Sequence, residues 1–281
     1  MLKNQMKTTI LLAALGGLFV ILGQAFFGGG GAVIGLVIAF LFVGGSYWFS
    51  DKLAVAAARG KEVTAQEAPE LHAMVSGLAA TADMPMPRLY ISPMDQPNAF
   101  ATGRNPKHAA VCVTQGILQV LEPDELRGVL AHELGHVRNR DILISSIAAA
   151  IATAIMFLTR MAFWGAMFGG GDDDDGPNPL VLILMMVLAP IAAMLIQMAI
   201  SRSREYEADR TGAELVGNGE PLARALEKIE AYAKRIPAPV SPAQASLYIV
   251  NPLTGRKVNF AGLFATHPPT EERVARLRAT T

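Results

Sequence analysis

The longest charge-free stretch of the sequence is the feature that most constrains what this chain can fold into. Lys7 and Asp51 are separated by 43 residues that include no Asp, Glu, Lys or Arg. Such a segment is long enough for two membrane-spanning helices of about 20 residues each. Four glycines, Gly28–Gly31, lie in its middle, and glycine is a poor helix former that suits a tight reversal. We therefore predict spans near residues 8–27 and 32–50.

Two further apolar stretches predict a second membrane hairpin, over residues 142–168 and 177–201. Arg160 lies near the far end of the first of these, where its side chain can extend to the lipid headgroups. A cleaved secretory signal peptide is the alternative for the first stretch of the chain. That stretch is too long for a signal peptide, and a second apolar segment follows at once. The sequence thus predicts a multi-pass membrane protein.

The composition excludes several other classes of protein. Charged residues make up 17% of the chain, against about 25% in an average soluble domain. The formal net charge is zero, which argues against a partner bound by phosphate neutralisation, and we expect no nucleic-acid partner. The sequence has no glycine-rich nucleotide-binding pattern, so we expect no nucleotide either. The single cysteine, Cys112, rules out a disulfide scaffold.

Basic residues flank the four apolar stretches on one side only. They are Lys3, Lys7, Lys52, Arg59, Lys61, Arg138, Arg140, Arg202 and Arg204. The two short connecting loops contain no Lys or Arg, so the positive-inside rule puts both termini in the cytoplasm and the Asp172–Asp175 run outside. The predicted organisation is an N-terminal hairpin, a first cytoplasmic part, a second hairpin and a second cytoplasmic part. Their ranges are 1–50, 51–141, 142–201 and 202–281.

The two cytoplasmic parts show alternating helix and strand patterns. We predict an amphipathic helix over 62–83, strands over 88–92, 98–102 and 109–114, a helix from Pro123, and helices over 221–235 and 268–279. The last two strands are joined by a turn and form a small hairpin with a free edge. Residues 237–259 contain several prolines and are predicted to be a long loop. The expected fold is a mainly α integral membrane protein with a discontinuous α+β domain.

One motif carries the chemistry, because His132-Glu133-Leu134-Gly135-His136 lies on the helix that begins at Pro123. Residues four apart share a helical face, so both imidazoles can reach one metal ion while Glu133 holds a water. This is the HExxH pattern of zinc peptidases. Residue frequencies alone would produce it about 0.004 times in a chain of this composition. A solvated helix that carries two histidines by accident is therefore a poor explanation.

A catalytic zinc ion uses three protein ligands and one open position. Glu205 is the best candidate for the third ligand, because it follows the fourth apolar stretch closely, as His136 precedes the third. Asp209 lies on the same face as Glu205 and can accept the free N–H of a ligand histidine. On spacing alone, Glu207 and Glu214 stay possible as ligands.

The chain resembles the HtpX family of bacterial membrane-bound zinc endopeptidases, which are relatives of the CAAX prenyl proteases. The resemblance covers nearly the whole chain and rests on motifs that follow the apolar hairpin at its start. They are Pro97-Asn98-Ala99-Phe100-Ala101, Asp124-Glu125-Leu126 before the HExxH motif, Glu205-Tyr206-Glu207-Ala208-Asp209, and Thr266-His267-Pro268-Pro269. The HExxH motif is shared by many peptidases, whereas its combination with the glutamate–aspartate helix after a membrane hairpin is much more specific.

The resemblance implies a role for each matching residue. The ligands of one zinc ion per chain would be His132, His136 and Glu205, with Glu133 as the general base and Asp209 as the partner of a ligand histidine. An edge strand would bind the extended substrate through Asn98, Ala99, Phe100 and Ala101. Two further residues, His267 and Arg273, match positions near the metal and would stabilise the transition state. From the sequence alone, His267 can equally begin a helix and Arg273 form a surface salt bridge.

The predicted function is a zinc endopeptidase in the bacterial inner membrane that acts at the cytoplasmic face. Its expected partners are the lipid bilayer and polypeptide substrates, and the resemblance suggests misfolded or surplus membrane proteins removed during quality control and stress. Three alternatives stay open: an intramembrane protease, a membrane scaffold or chaperone with a structural metal, and a transporter. Charged residues surround the motif, which favours a site at the membrane surface over one inside the bilayer.

Overall fold

The structure is a computed structural model of the chain. It describes residues 30–142, 202–235, 248–249 and 268–279, together with six isolated positions between residues 13 and 24. Several predicted features lie wholly or largely outside these residues. They are the spans near 8–27, 142–168 and 177–201, the loop 237–259, and His267.

The first helix, α1 (Gly31–Ala57), covers the predicted second span and continues beyond it. Its large apolar side chains are exposed along much of its length, including Phe40 at 79% and Leu41 at 66%. Among the helices of the described ranges, none combines the length with the hydrophobicity that a membrane crossing requires.

A four-stranded mixed sheet forms the centre of the polar part. Its strands are β1 (Lys61–Glu62), β2 (Arg88–Ser92), β3 (Ala99–Gly103) and β4 (Ala109–Thr114), and their order across the sheet is β1-β2-β4-β3. β2 is parallel to β4, and β4 is antiparallel to β3. The predicted hairpin is confirmed, with its first strand shifted by one residue. Within the described sheet, β3 is one of the two edge strands, and β1 is the other.

The predicted helix over 62–83 is wrong in its first third. Residues 61–62 instead pair with β2, and the Val63 N–H donates to the carbonyl oxygen of Leu89. A turn follows, in which the Glu67 carboxylate accepts hydrogen bonds from the N–H and hydroxyl of Thr64. Helix α2 (Pro69–Thr81) begins only at Pro69, because proline lacks an N–H and fits the first helical position.

Five more helices complete the described fold: α3 (Gln115–Val120), α4 (Pro123–Asn139), α5 (Arg202–Val216), α6 (Glu220–Arg235) and α7 (Thr270–Ala279). The start of α4 is fixed by a capping box. The Glu122 side chain accepts the backbone N–H of Glu125, and the Glu125 side chain accepts the backbone N–H of Glu122. Because α4 contacts α2, α5, α6 and β3, it lies at the centre of the described core.

The two faces of the sheet have different neighbours. One face packs on the helical core, whose buried side chains include Val75, Leu78, Val111, Val113, Val129, Leu130, Leu134, Leu222 and Leu226. On the other face, Phe100 and Cys112 pack against Ala54 near the end of α1. The sheet therefore links the apolar helix α1 on one side to the motif helix α4 on the other.

Candidate metal centre

Three predicted ligands meet between α4 and α5. His132 and His136 are one turn apart on α4, and their Nε2 atoms lie 3.1 Å from each other. Glu205 at the start of α5 places Oε2 3.8 Å from His132 Nε2 and Oε1 3.7 Å from His136 Nε2. Glu207 and Glu214, the alternatives on spacing, are instead half exposed and pair with Arg210.

The three side chains fit a zinc ion by chemistry and by spacing. Zinc takes two imidazole nitrogens and a carboxylate oxygen at about 2.0–2.2 Å in tetrahedral sites, so neighbouring ligand atoms lie a little over 3 Å apart. The ligand atoms of His132, His136 and Glu205 all lie within 4.8 Å of one another. In the described part of the chain the group has three members, the number used by catalytic zinc sites.

Two glycines let α4 and α5 approach closely enough for these ligands to meet. A Cβ at Gly212 of α5 would lie 2.9 Å from the backbone nitrogen of His132. A Cβ at Gly135 of α4 would lie 3.1 Å from the carbonyl oxygen of Ala208. Both contacts involve backbone atoms, which cannot move aside without separating the helices. The metal centre therefore depends on the absence of side chains at this crossing.

A buried ion pair contacts His132 at Nδ1, the ring nitrogen that points away from Glu205. Asp209 Oδ1 lies 2.9 Å from His132 Nδ1, a hydrogen-bond distance, although the ring N–H is not well aligned with the oxygen. Arg273 of α7 binds the same carboxylate through two nitrogens, with Nε 2.9 Å from Oδ2 and Nη2 2.7 Å from Oδ1. The Arg273 side chain is 1% exposed, so the predicted alternative of a surface salt bridge is wrong.

His136 has a carboxylate partner that the sequence analysis missed. The Asp141 oxygens Oδ1 and Oδ2 lie 3.1 and 3.2 Å from His136 Nδ1. Asp141 follows the end of α4, where Arg140 adopts a left-handed conformation with φ of 56°. The reversal brings the Asp141 N–H to the carbonyl oxygen of His136, as in a Schellman cap. The left-handed residue was the signal to look for, but Arg140 is not a residue type that predicts it.

The electrostatics of the site favour a bound cation. Burial disfavours a charged imidazole, yet the carboxylates of Asp141, Glu205 and Glu133 outweigh it and raise the pKa of His136 to about 10. Burial likewise disfavours a charged Asp209. The Arg273 guanidinium and the contact with His132 outweigh that effect and lower the pKa of Asp209 to about 2. Three carboxylates therefore surround His136, while the Arg273 guanidinium lies on the other side of the site, 3.5 Å from His132 Nε2 and 3.9 Å from Glu205 Oε2.

The predicted base and the predicted edge strand are in direct contact. Glu133 Oε2 accepts a hydrogen bond of 2.8 Å from the backbone N–H of Ala101. Just before β3, the Asn98 carbonyl oxygen accepts the Thr114 N–H, so in the antiparallel register the N–H and carbonyl groups of Ala99, Ala101 and Gly103 point away from β4. This free edge of β3 therefore faces the Glu133 carboxylate.

The other residues predicted to bind substrate have structural contacts. Asn98 lies just before β3 and is 3% exposed, and its side-chain oxygen accepts the Ile249 N–H at 3.2 Å. The Ile249 carbonyl oxygen in turn accepts from Arg273 Nη1 at 3.1 Å. Phe100 faces α1. The structure thus connects the start of β3 to the buried ion pair, and the roles of these residues toward substrate stay predictions.

Comparison with known proteins gives the family. The model of Peptidase family M48 matches residues 65–281. Protease HtpX homolog from Syntrophobacter fumaroxidans (strain DSM 10017 / MPOB) is 53% identical over 281 residues, covering 98% of this chain and 99% of that protein. Protease HtpX homolog from Persephonella marina (strain DSM 14350 / EX-H1) is 54% identical over 284 residues, covering 98% and 96%.

A solved structure has a similar fold. The crystal structure of Ste24p from S. mikatae aligns with a TM-score of 0.51 and 19% identity, over 98% of this chain. The chain spans 65% of the length of Ste24p, and at this identity the likeness concerns the fold alone. The family match and the full-length relatives carry the assignment: the chain belongs to peptidase family M48, among the HtpX proteases, and is a metallopeptidase.

Proposed function

We propose that this chain is a membrane-bound zinc endopeptidase that cleaves polypeptides at the cytoplasmic face of the bacterial inner membrane. The observation that carries the proposal is the meeting of His132, His136 and Glu205, with the neighbouring Glu133 in contact with the free edge of β3. Membrane association agrees with the charge-free stretches and with the exposed apolar surface of α1. The four predicted spans and the four-part domain organisation belong to the same proposal.

The proposed chemistry divides the hydrolysis among residues of this chain. Zinc held by His132, His136 and Glu205 would supply a Lewis acid that lowers the pKa of water to about 7 and polarises a carbonyl group. Glu133 takes the proton of the attacking water and returns it to the leaving amine. Arg273 is buried and pairs with Asp209, and its Nη2 lies 3.5 Å from His132 Nε2 while its Nη1 lies 3.9 Å from Glu205 Oε2, so we propose that it holds the geometry of the ligands.

The free edge of β3 is the proposed substrate-binding strand. An extended peptide can pair with the outward N–H and carbonyl groups of Ala99 and Ala101 by strand addition. A substrate carbonyl on the Ala101 N–H would displace Glu133 from this donor and free its carboxylate for proton transfer. Replacing Ala101 with proline removes the N–H without removing a ladder bond, and we expect a loss of cleavage of about tenfold to a hundredfold with zinc content unchanged.

The decisive experiment compares cleavage of an unfolded protein by the detergent-purified chain and by Glu133→Gln, with zinc content measured in both. We expect Glu133→Gln to bind zinc normally and to lose turnover. Glu205→Gln should lose zinc, and Glu207→Gln on the same helix serves as the control that keeps it. Full cleavage by Glu133→Gln would overturn the assignment of the base, and retained zinc in Glu205→Gln would overturn that of the third ligand.

The cytoplasmic location is tested separately with single cysteines in a Cys112→Ala background. A cysteine at Asp173 should react with a membrane-impermeant thiol reagent added to intact cells. A cysteine at Glu227, an exposed position of α6, should react only after the membrane is opened. The reverse pattern would contradict the topology. Quality control as the physiological role is tested by whether a chain with Glu133→Gln retains misfolded membrane proteins that the unmodified chain removes.

A membrane scaffold with a structural metal is the alternative function. A structural zinc site is closed by four protein ligands, whereas the group between α4 and α5 has three members in the described part of the chain. A structural site also does not require the carboxylate of Glu133 at the free edge of β3, whereas a peptidase uses one there. Both observations favour the peptidase.

A further inference from the structure

A cavity of about 760 Å³ lies beside α1, and none of its lining residues belongs to the metal centre. It is bounded by α1, by Met86 and the first residue of β2, and by the turn between β3 and β4. One end of the cavity is apolar and the other is basic.

The apolar end is a notch in the exposed side of α1. Phe40, Leu41, Trp48 and Phe49 line it, and each is at least half exposed. Gly44 and Gly45 form its floor, and a Cβ at either glycine would meet no atom within 4 Å. The opposite side of α1, which includes Gly35, is in contact with Phe19. This face is therefore apolar, concave and open.

The basic end is formed by Lys52, Arg88, Arg104 and Lys107. The Asp51 carboxylate pairs with Arg88, which leaves three cations without an ion-pair partner among the described residues. The Arg104 guanidinium lies over the ring of Trp48 at 4.7 Å, so it joins the basic end to the apolar one. Unpaired cations that line one cavity predict an anionic ligand.

The spacing of the two ends matches one leaflet of a bilayer. Phe40 and Lys52 are twelve residues apart on α1, or about 18 Å along a helix. Half of the hydrocarbon core of a bilayer is about 15 Å thick. An acyl chain packed against Phe40 and Leu41 would thus place its headgroup at the level of Lys52 and Arg104.

We propose that this cavity binds an anionic phospholipid, with an acyl chain in the glycine notch and the phosphate held by Lys52, Arg104 and Lys107. The proposal rests on the membrane location given under the proposed function. Arg104 directly follows the last residue of β3, so the bound lipid would contact the turn at the end of the proposed substrate-binding strand. Free phosphate offers the same charge but leaves the apolar end unoccupied.

The test uses Trp48 as a reporter of lipid contact in the full chain. The chain has two tryptophans, and Trp164→Phe leaves Trp48 as the only one. This protein is placed in vesicles of brominated phosphatidylcholine, whose bromine atoms quench tryptophan fluorescence on contact. Ordinary phosphatidylglycerol is then added in increasing proportion. We expect phosphatidylglycerol to relieve the quenching more than its share of the total lipid predicts. Each nearby cation strengthens the binding of an anionic lipid about fivefold.

Three variants make the test specific. Arg104→Gln/Lys107→Gln removes two cations of the basic end, and the preference for phosphatidylglycerol should fall by about tenfold or more. Lys234→Gln/Arg235→Gln removes two exposed cations at the end of α6 and should leave the preference unchanged. Gly45→Leu adds a side chain in the notch at a position where its Cβ meets no atom within 4 Å, and it should reduce quenching of Trp48 by the brominated lipid. Circular dichroism checks that each variant folds.

Four outcomes would overturn the proposal. They are relief of quenching no greater than dilution predicts, an equal loss of lipid preference in the Lys234→Gln/Arg235→Gln control, full quenching in Gly45→Leu, and relief of quenching by soluble glycerol phosphate alone.

Cleavage of an unfolded protein in detergent is measured on the same samples. Cleavage without lipid preference would overturn the lipid site and leave the peptidase standing, whereas lipid preference without cleavage would do the reverse. Failure of the chain to float with vesicles would overturn the membrane location, and the lipid site with it.

Discussion

The two histidines of the candidate metal centre are supported in different ways. His132 is 1% exposed, and its support comes from Asp209 of α5 and Arg273 of α7, which lie 77 and 141 residues farther along the chain. His136 is 16% exposed at the side chain, and its support comes from Asp141, five residues away. One ligand therefore depends on the packing of three helices, while the other depends on the cap of its own helix.

This difference predicts how mutations near each histidine affect stability and metal affinity. The Asp141 contact can form as soon as α4 and its cap form, whereas the Asp209 contact requires α5 and α7 to be packed. Mutations on the His132 side should therefore lower global stability together with metal affinity. Removal of the Asp141 carboxylate on the His136 side should lower metal affinity with little change in global stability.

The largest expected effect is that of Arg273→Met. The substitution leaves the Asp209 carboxylate buried without its bidentate partner, which destabilises a protein by about 3–5 kcal/mol. Urea denaturation in detergent measures the loss. Arg276→Met on the same helix is the control, because Arg276 and Glu272 form an exposed pair worth about 1 kcal/mol or less. Equal losses in the two variants would contradict the structural importance of the buried pair.

A smaller loss is expected when the helix crossing behind His132 is filled. The Cβ of Gly212→Ala would lie 2.9 Å from the His132 nitrogen, and overpacking of this kind costs about 1–3 kcal/mol. Moving α5 away also separates Glu205 from the histidines, so zinc affinity should fall. Gly77→Ala in α2 is the matched control, since its Cβ meets nothing within 4 Å and alanine favours a helix by about 1 kcal/mol. Destabilisation by both changes would mean that the close crossing is not the cause.

The comparison itself is tested by Asp209→Asn and Asp141→Asn. Loss of a carboxylate that orients a metal-binding histidine weakens metal binding about 10–100-fold. We expect Asp209→Asn at the upper end, because it also unpairs Arg273, and Asp141→Asn at the lower end. Competition with a chromogenic zinc chelator measures both affinities. If Asp141→Asn weakened zinc binding more, the local support would be the dominant one.

The sequence predicted the parts of the site that depend on local spacing. The HExxH helix and the pairing of Asp209 with Glu205 on one face follow from residues one turn apart, whereas Glu205 itself was favoured by its place after the fourth apolar stretch, and the structure brings all of them together. The pairing of Arg273 with Asp209 spans 64 residues and depends on how α7 packs, which spacing cannot show. Asp141 was missed for the opposite reason. It is close in sequence, but its contact depends on a left-handed Arg140, and arginine gives no signal of that backbone conformation.

The same limit applies to the fold. Strands over 88–92 and 109–114 were predicted at their observed bounds, because β-branched residues and turns mark them. The short β1 was not predicted and its Glu62 was assigned to a helix, since two residues give no period and the pairing with β2 is a tertiary contact. Local sequence propensity therefore predicted the positions of the longer strands, whereas the short β1 is determined by tertiary packing.

The smallest expected effect comes from strengthening the local support of His136. Arg140 has φ of 56° and ψ of 38°, a conformation that costs a residue with a Cβ about 1–2 kcal/mol. Arg140→Gly removes this cost, but glycine also raises the conformational entropy of the unfolded chain. We therefore expect a net gain of about 0.5–1 kcal/mol in the free energy of unfolding. Thermal denaturation measures it, with Arg140→Ala as the control that removes the same charge and keeps the Cβ.

Zinc affinity should be unchanged in Arg140→Gly, because the Asp141 N–H keeps its bond to the His136 carbonyl oxygen. An equal gain in Arg140→Ala would assign the effect to lost charge repulsion among the basic residues near the membrane, and a loss of zinc affinity would show that the arginine side chain helps to hold Asp141. A gain confined to glycine would show that the cap of α4 can be improved without altering α5. No equivalent change is available to His132, whose support is shared among three helices.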